Sequence, residues 1–132
     1  MDMRAAASLR RATSRWIFAG GAAALLAAIA VAQRDASAGW WVFPVFGLGP
    51  DLAFLVGIGT MGSLQRGQMP LRAVPAYNAL HRFWGPAGLA ILAMFDVVPG
   101  ALLVGALVWA FHIAIDRAVG YGLRTRDGWQ RG

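Results

Sequence analysis

The sequence predicts an all-α integral membrane protein, a bundle of four transmembrane helices with both termini in the cytoplasm. Three observations carry this: an apolar composition, four long apolar runs, and an uneven distribution of arginine between them. Of 132 residues, 58% are hydrophobic and only 14% are charged, and the mean hydropathy is +0.56. A soluble domain carries about 25% charged residues, because its water-facing surface must be covered. Too little polar surface remains here to wrap a soluble globule, which argues against an ordinary cytosolic enzyme, a disordered tail or a DNA-binding domain.

The four runs cover residues 16–32, 40–62, 74–95 and 99–120. Each is close to the ~20 residues that a helix needs to cross a ~30 Å hydrocarbon core. Backbone polar groups cannot stay unpaired in lipid, so such spans are expected as helices, and they are too long and too continuous for barrel strands. Residues 1–15 then form a basic cytoplasmic segment, 16–123 the transmembrane domain and 124–132 a basic cytoplasmic tail. Gly20, Gly21, Gly47, Gly49, Gly57, Gly59 and Gly62 would let helix backbones approach closely, and Pro44 and Pro50 should bend or interrupt the second helix.

Orientation follows from the arginines. All twelve basic residues are Arg and all six acids are Asp, giving a net charge of +6. Arg4, Arg10, Arg11 and Arg15 precede the first run, and Arg66 and Arg72 lie between the second and third. Arg117, Arg124, Arg126 and Arg131 close the chain, while only Arg34 falls in a segment assigned outside. The positive-inside rule therefore predicts a multi-pass protein of the bacterial inner membrane with both termini inside. Trp16, Trp40 and Trp41 stand near span ends, where indoles favour the headgroup region. A cleaved signal peptide is the competing reading of the first run, with Ala36-Ser37-Ala38 as the cleavage site. The arginines are scattered between apolar runs rather than gathered on one soluble face, so membrane lipid is the expected partner and nucleic acid is not. Another copy of the chain, or another membrane protein, is a further candidate partner. Cysteine is absent, which removes disulfides, thiolate ligands and a cysteine nucleophile.

Polar residues inside the runs carry the functional information, because an ionisable group at the membrane centre costs roughly 2.5–3.5 kcal/mol on insertion scales. Asp51 stands in the second run. Tyr77, Asn78, His81 and Arg82 stand in the third, and His112, Asp116 and Arg117 in the fourth. Asn78, His81 and Arg82 have i, i+3, i+4 spacing and should share a helical face, as should His112 and Asp116. At ~1.5 Å per residue both imidazoles fall ~10–12 Å from the inner boundary, with Asp51 slightly deeper. Three helices thus bring polar groups to one layer.

Four explanations fit that layer. The groups neutralise one another, with Asp51 or Asp116 paired to Arg82, at ~0.6–2 kcal/mol per contact. Alternatively Asp51, His81, His112 and Asp116 ligate a divalent ion such as zinc, iron or manganese. In that case Arg82 would stabilise an anionic oxygen, and Tyr77 or Asn78 would orient substrate in a hydrolytic reaction. The third reading is a relay for protons or small solutes. The fourth is haem held between His81 and His112.

The chain resembles the bacterial membrane proteins grouped as domain-of-unknown-function family 4260. The resemblance rests on Pro50-Asp51-Leu52, on Tyr77-Asn78-Ala79-Leu80-His81 followed by Pro86, and on His112-Ile113-Ala114-Ile115-Asp116-Arg117 running into Gly120-Tyr121-Gly122-Leu123. It implies a multi-span architecture over about residues 16–123 and supplies no reaction. Members of that family often carry a Glu in the first span and a Thr-His pair in the tail. This chain has no Glu, and Arg124-Thr125-Arg126-Asp127-Gly128 has no His, which implies a site reduced or altered at those places. The same elements are loosely similar to membrane-bound metal-dependent hydrolases, a likeness that does not transfer function by itself. The expected function is that of a small membrane protein built around the Asp/His cluster, in its sharper form a metal-dependent hydrolase of a membrane-embedded or amphipathic substrate. The alternatives are a non-catalytic membrane subunit that binds a partner through its helices, and the relay.

Overall fold

A single helix, α1 (Met3–Ala36), takes up both the arginine-rich N-terminal segment and the first apolar run. Its first turn is capped by Asp2, whose carboxylate accepts from the Arg4 amide. It ends where Ser37 turns left-handed and returns its amide to the Gln33 carbonyl. In this computed structural model residues 2–131 are described, with the side chains of residues 61–63 outside that description.

The second run starts as α2 (Val42–Leu48) and tightens into 3-10 geometry over Gly49–Ser63, interrupted by a kink at Thr60 (φ −119°, ψ 15°). Of the two prolines only Pro50 changes the helix. Pro44 lies in the first turn, where its missing N–H is not needed, whereas Pro50 removes the donor that would reach the Phe46 carbonyl. A long 3-10 stretch is unusual and marks strain or a functional constraint. Here it carries Asp51 in its opening turn.

The third run departs from the expectation of one continuous helix. It is divided into α3 (Val74–Leu80) and α4 (Trp84–Met94), with His81 at φ −100°, ψ 23° closing α3. Pro86 supplies the reason: inside a continuous helix its ring would collide with the Arg82 carbonyl, so a new helix begins with Pro86 in its first turn. The expected shared face of Asn78, His81 and Arg82 is lost with it. The carbonyls freed by the break find protein donors. Trp109 Nε1 donates to Leu80 at 2.7 Å, and Arg117 donates to His81 at 2.8 Å. Such satisfaction is what permits broken helices in apolar surroundings.

The fourth run is α5 (Ala101–Val119), ended by Gly120 at φ +99°. It is the central element, packed against α1, α2 and α4, while α3 packs on the 3-10 segment. One core joins Ile29, Val42, Val104 and Val108, and a second joins Ala53, Met69, Ala73, Val74 and Tyr77. Close approach occurs at Gly57 against Pro70; a Cβ at Gly47 would meet Val108 at ordinary contact distance, and one at Gly20, Gly21, Gly49 or Gly59 would meet open space. Gly62 lies outside the described packing. The tail is a folded reverse turn, in which the Thr125 amide donates to Trp129 and the Arg131 amide to Leu123. The turn is fastened to the 64–73 loop by the Met69 amide donating to Gly128 and by Gln68 donating to Asp127.

The described residues are thus all helical apart from loops and one isolated bridge between Arg124 and Gln130. Three helical stretches, Met3–Ala36, Val42–Thr60 and Ala101–Val119, are long and apolar enough to cross a membrane. Large apolar side chains cover the outside, with Trp16, Trp40 and Trp84 each about four-fifths exposed.

Candidate metal centre

Asp51, His81, His112 and Asp116 meet between the 3-10 segment, the end of α3 and the middle of α5. Each offers one ligand atom, and these atoms all lie within 4.8 Å of one another. The two Nε2 atoms face each other at 3.2 Å. His81 Nε2 is 3.4 Å from Asp51 Oδ1 and 3.4 Å from Asp116 Oδ2, and His112 Nε2 is 3.6 Å and 3.8 Å from the same two oxygens. A tetrahedral ion with bonds of ~2.0–2.2 Å to nitrogen and oxygen has ligand–ligand edges of ~3.3–3.6 Å. Five of the six separations, at 3.2–3.8 Å, are close to those edges, and the Asp51–Asp116 pair lies within 4.8 Å.

The protonation pattern follows from the partners. His81 Nδ1 lies 2.9 Å from the Tyr77 carbonyl, which can only accept, so this nitrogen carries a proton and donates. In the neutral ring Nε2 is then a bare lone pair aimed at the cluster. With both carboxylates ionised and both imidazoles neutral, the four side chains would offer four electron-pair donors and a charge of −2, which one divalent cation would cancel.

Burial orders the four. His81 is fully buried, and its ring stacks on Tyr77 at 3.8 Å between centroids. Tyr77 also meets the Phe54 ring in an edge arrangement, with 5.6 Å between centroids. His112 and Asp116 are partly buried, and the Asp51 side chain, 47% exposed, is the most accessible. Beside His112 and Asp116 runs an apolar groove of about 300 Å³, walled by Leu26, Ile29, Phe43, Phe111 and Ile115.

The other candidate residues fall elsewhere. Asn78 spends both ends of its amide on the backbone of Arg124, donating to its carbonyl at 2.9 Å and accepting from its amide at 2.7 Å. Arg82 is exposed, and among the described residues its side chain makes no hydrogen bond or ion pair. The arginine that reaches the site is Arg117, which donates to the carbonyls of His81 and Tyr121, both at 2.8 Å. Nothing periodic marks this role, since the carbonyls it bonds lie beyond the end of α5 and on another segment.

Residues 15–132 match the family described as domain of unknown function (DUF4260). The chain belongs to the DUF4260 family. Pro50-Asp51, Tyr77 through His81 and His112 through Asp116 lie inside the matched segment of this DUF4260 protein and supply all four clustered side chains. No curated protein and no solved structure matches the chain.

Proposed function

We propose that this DUF4260 chain is an integral membrane metalloprotein that holds one divalent transition-metal ion between Asp51, His81, His112 and Asp116, and that the ion serves hydrolysis of an amphipathic substrate. The carrying observation is that five of the six separations among four atoms able to donate an electron pair are 3.2–3.8 Å, with all six within 4.8 Å. Mixed imidazole and carboxylate ligands suit zinc, iron or manganese, and zinc answers best to the tetrahedral spacing. A bound ion would also offset the cost of carrying two carboxylates among apolar helices.

Such an ion supplies a Lewis acid for hydrolysis when a position is open to substrate. Four protein ligands fill a tetrahedron, so the half-exposed Asp51 is the ligand that yields. Tyr77 holds the His81 ring, and Asn78 holds the tail against α3. With these side chains so engaged, neither is assigned to orient substrate here, and the exposed Arg82 is not assigned to stabilise an anionic oxygen. The groove beside His112 and Asp116 suits an apolar chain whose polar end lies at the cluster. In this reading the protein sits in the bacterial inner membrane, and α3 with α4 completes a fourth crossing in two pieces. Both termini then face the cytoplasm.

Metal analysis of the protein purified in mild detergent tests the site. We expect about one ion per chain, lost in His81→Ala and in His112→Ala but kept in Arg82→Ala. Protein that never carries or takes up stoichiometric metal removes the proposal. Hydrolysis of acyl-chain esters or phosphoesters, abolished by a chelator and restored by zinc, tests the reaction separately.

A further inference from the structure

A second cavity, of about 770 Å³, opens where the N-terminal turns of α1 meet the end of α5 and the tail. Its wall includes five arginines, Arg10, Arg11, Arg15, Arg117 and Arg131, and no acidic residue. Like charges gathered at that density repel one another and are favoured when an anion lies among them.

Two of the five are braced. Arg15 Nε donates to the Ala118 carbonyl at 2.8 Å, tying α1 to the end of α5, and Arg117 is held by the carbonyls of Tyr121 and His81. Arg10, Arg11 and Arg131 are exposed, and their side chains make no hydrogen bond among the described residues. Fixed guanidinium groups beside exposed ones can wrap a phosphate with paired N–H donors, the geometry for which arginine is suited.

The depth of the groove selects the source of that phosphate. Along α1 the chain passes directly from Arg15 to Trp16, an indole that is 78% exposed, and then to the exposed Ile17. The groove therefore lies at the boundary between the charged turns and the apolar face, the level at which a lipid headgroup sits and interfacial tryptophans collect. Basic pockets between transmembrane helices bind anionic headgroups in the same way. We propose that this arginine groove binds the phosphate headgroup of an anionic membrane phospholipid. The inference rests on the membrane-spanning reading and does not require the metal centre.

Native mass spectrometry of the full chain tests it, with phosphatidylglycerol and phosphatidylcholine titrated against protein in an uncharged detergent. Phosphatidylglycerol is expected to be retained at least about tenfold more tightly. At about fivefold per arginine near the headgroup layer, R10Q/R11Q should weaken retention on the order of 20–30-fold. R131Q, which lies outside the helices, should weaken it about fivefold and guards against a helix-folding effect of the double change. R66Q/R72Q removes the same charge from another loop and should change retention less than about twofold. Equal retention of the two lipids, or an equal loss in R66Q/R72Q, overturns the proposal. Inorganic phosphate that binds as tightly as the lipid overturns it too and reassigns the groove to a soluble anion.

Discussion

At His81 the two ring nitrogens have separate duties. Nδ1 donates to the carbonyl of Tyr77, one turn back on its own helix, while Nε2 faces the other three clustered atoms. Outer partners of this kind typically change metal affinity by 10–100-fold. The Tyr77 ring supports the imidazole by stacking, not through its hydroxyl. Tyr77→Phe should therefore leave zinc affinity within about threefold, whereas Tyr77→Ala should lower it by roughly 10–100-fold. Competition with a chromophoric chelator measures both. Asn78 acts at a distance from the cluster. Asn78→Ala leaves the amide and carbonyl of Arg124 without their partners, at a cost of about 1–3 kcal/mol. The tail turn should then open, which faster trypsin cleavage at Arg126 would report.

Among the elements, α5 does most of the positioning, because its His112 and Asp116 lie one turn apart while its other faces carry α1, α2 and α4. Gly105 lets the Phe46 ring lie against its backbone, with 2.6 Å between that ring and any added Cβ. Gly105→Ala should cost about 1–3 kcal/mol by overpacking. Gly20 in α1 has open space around it, so Gly20→Ala should be neutral or stabilising by up to about 1 kcal/mol. Thermal unfolding in detergent compares the two. The helices were legible in the sequence because apolar length is a local property, and α5 departs from its expected run by only a residue or two at each end. The meeting of Asp51, His81, His112 and Asp116 was legible as well, since polar groups inside apolar runs have few places to go. Arg82 shows the limit of that reasoning. Its spacing from Asn78 assumed an unbroken helix, and Pro86, four residues on, ends the periodicity from which a shared face was inferred. The long-range bonds of Asn78 to Arg124 and of Trp109 to Leu80 join distant segments and leave no periodic trace.

For the molecule as a whole, charge and apolarity are segregated: arginines crowd the start of α1 and the tail turn, and Trp40 and Trp41 mark the opposite end of α1. A cysteine-free chain lends itself to mapping this with single cysteines. Ser37→Cys should react with an impermeant maleimide in intact cells, and Ser8→Cys and Thr125→Cys only after permeabilisation. The reverse pattern would invert the topology, and labelling on both sides would end the uniform orientation. The same segregation leaves the Asp/His cluster as the one place where acids and imidazoles from three segments of the chain come together.

Zinc K-edge absorption spectroscopy of the zinc-loaded chain probes that cluster most directly. We expect four nearest nitrogen and oxygen neighbours at ~2.0–2.1 Å with the multiple-scattering signature of two imidazoles, and one imidazole fewer in His112→Ala. A shell of six oxygens, or a spectrum that His112→Ala leaves unchanged, would contradict it.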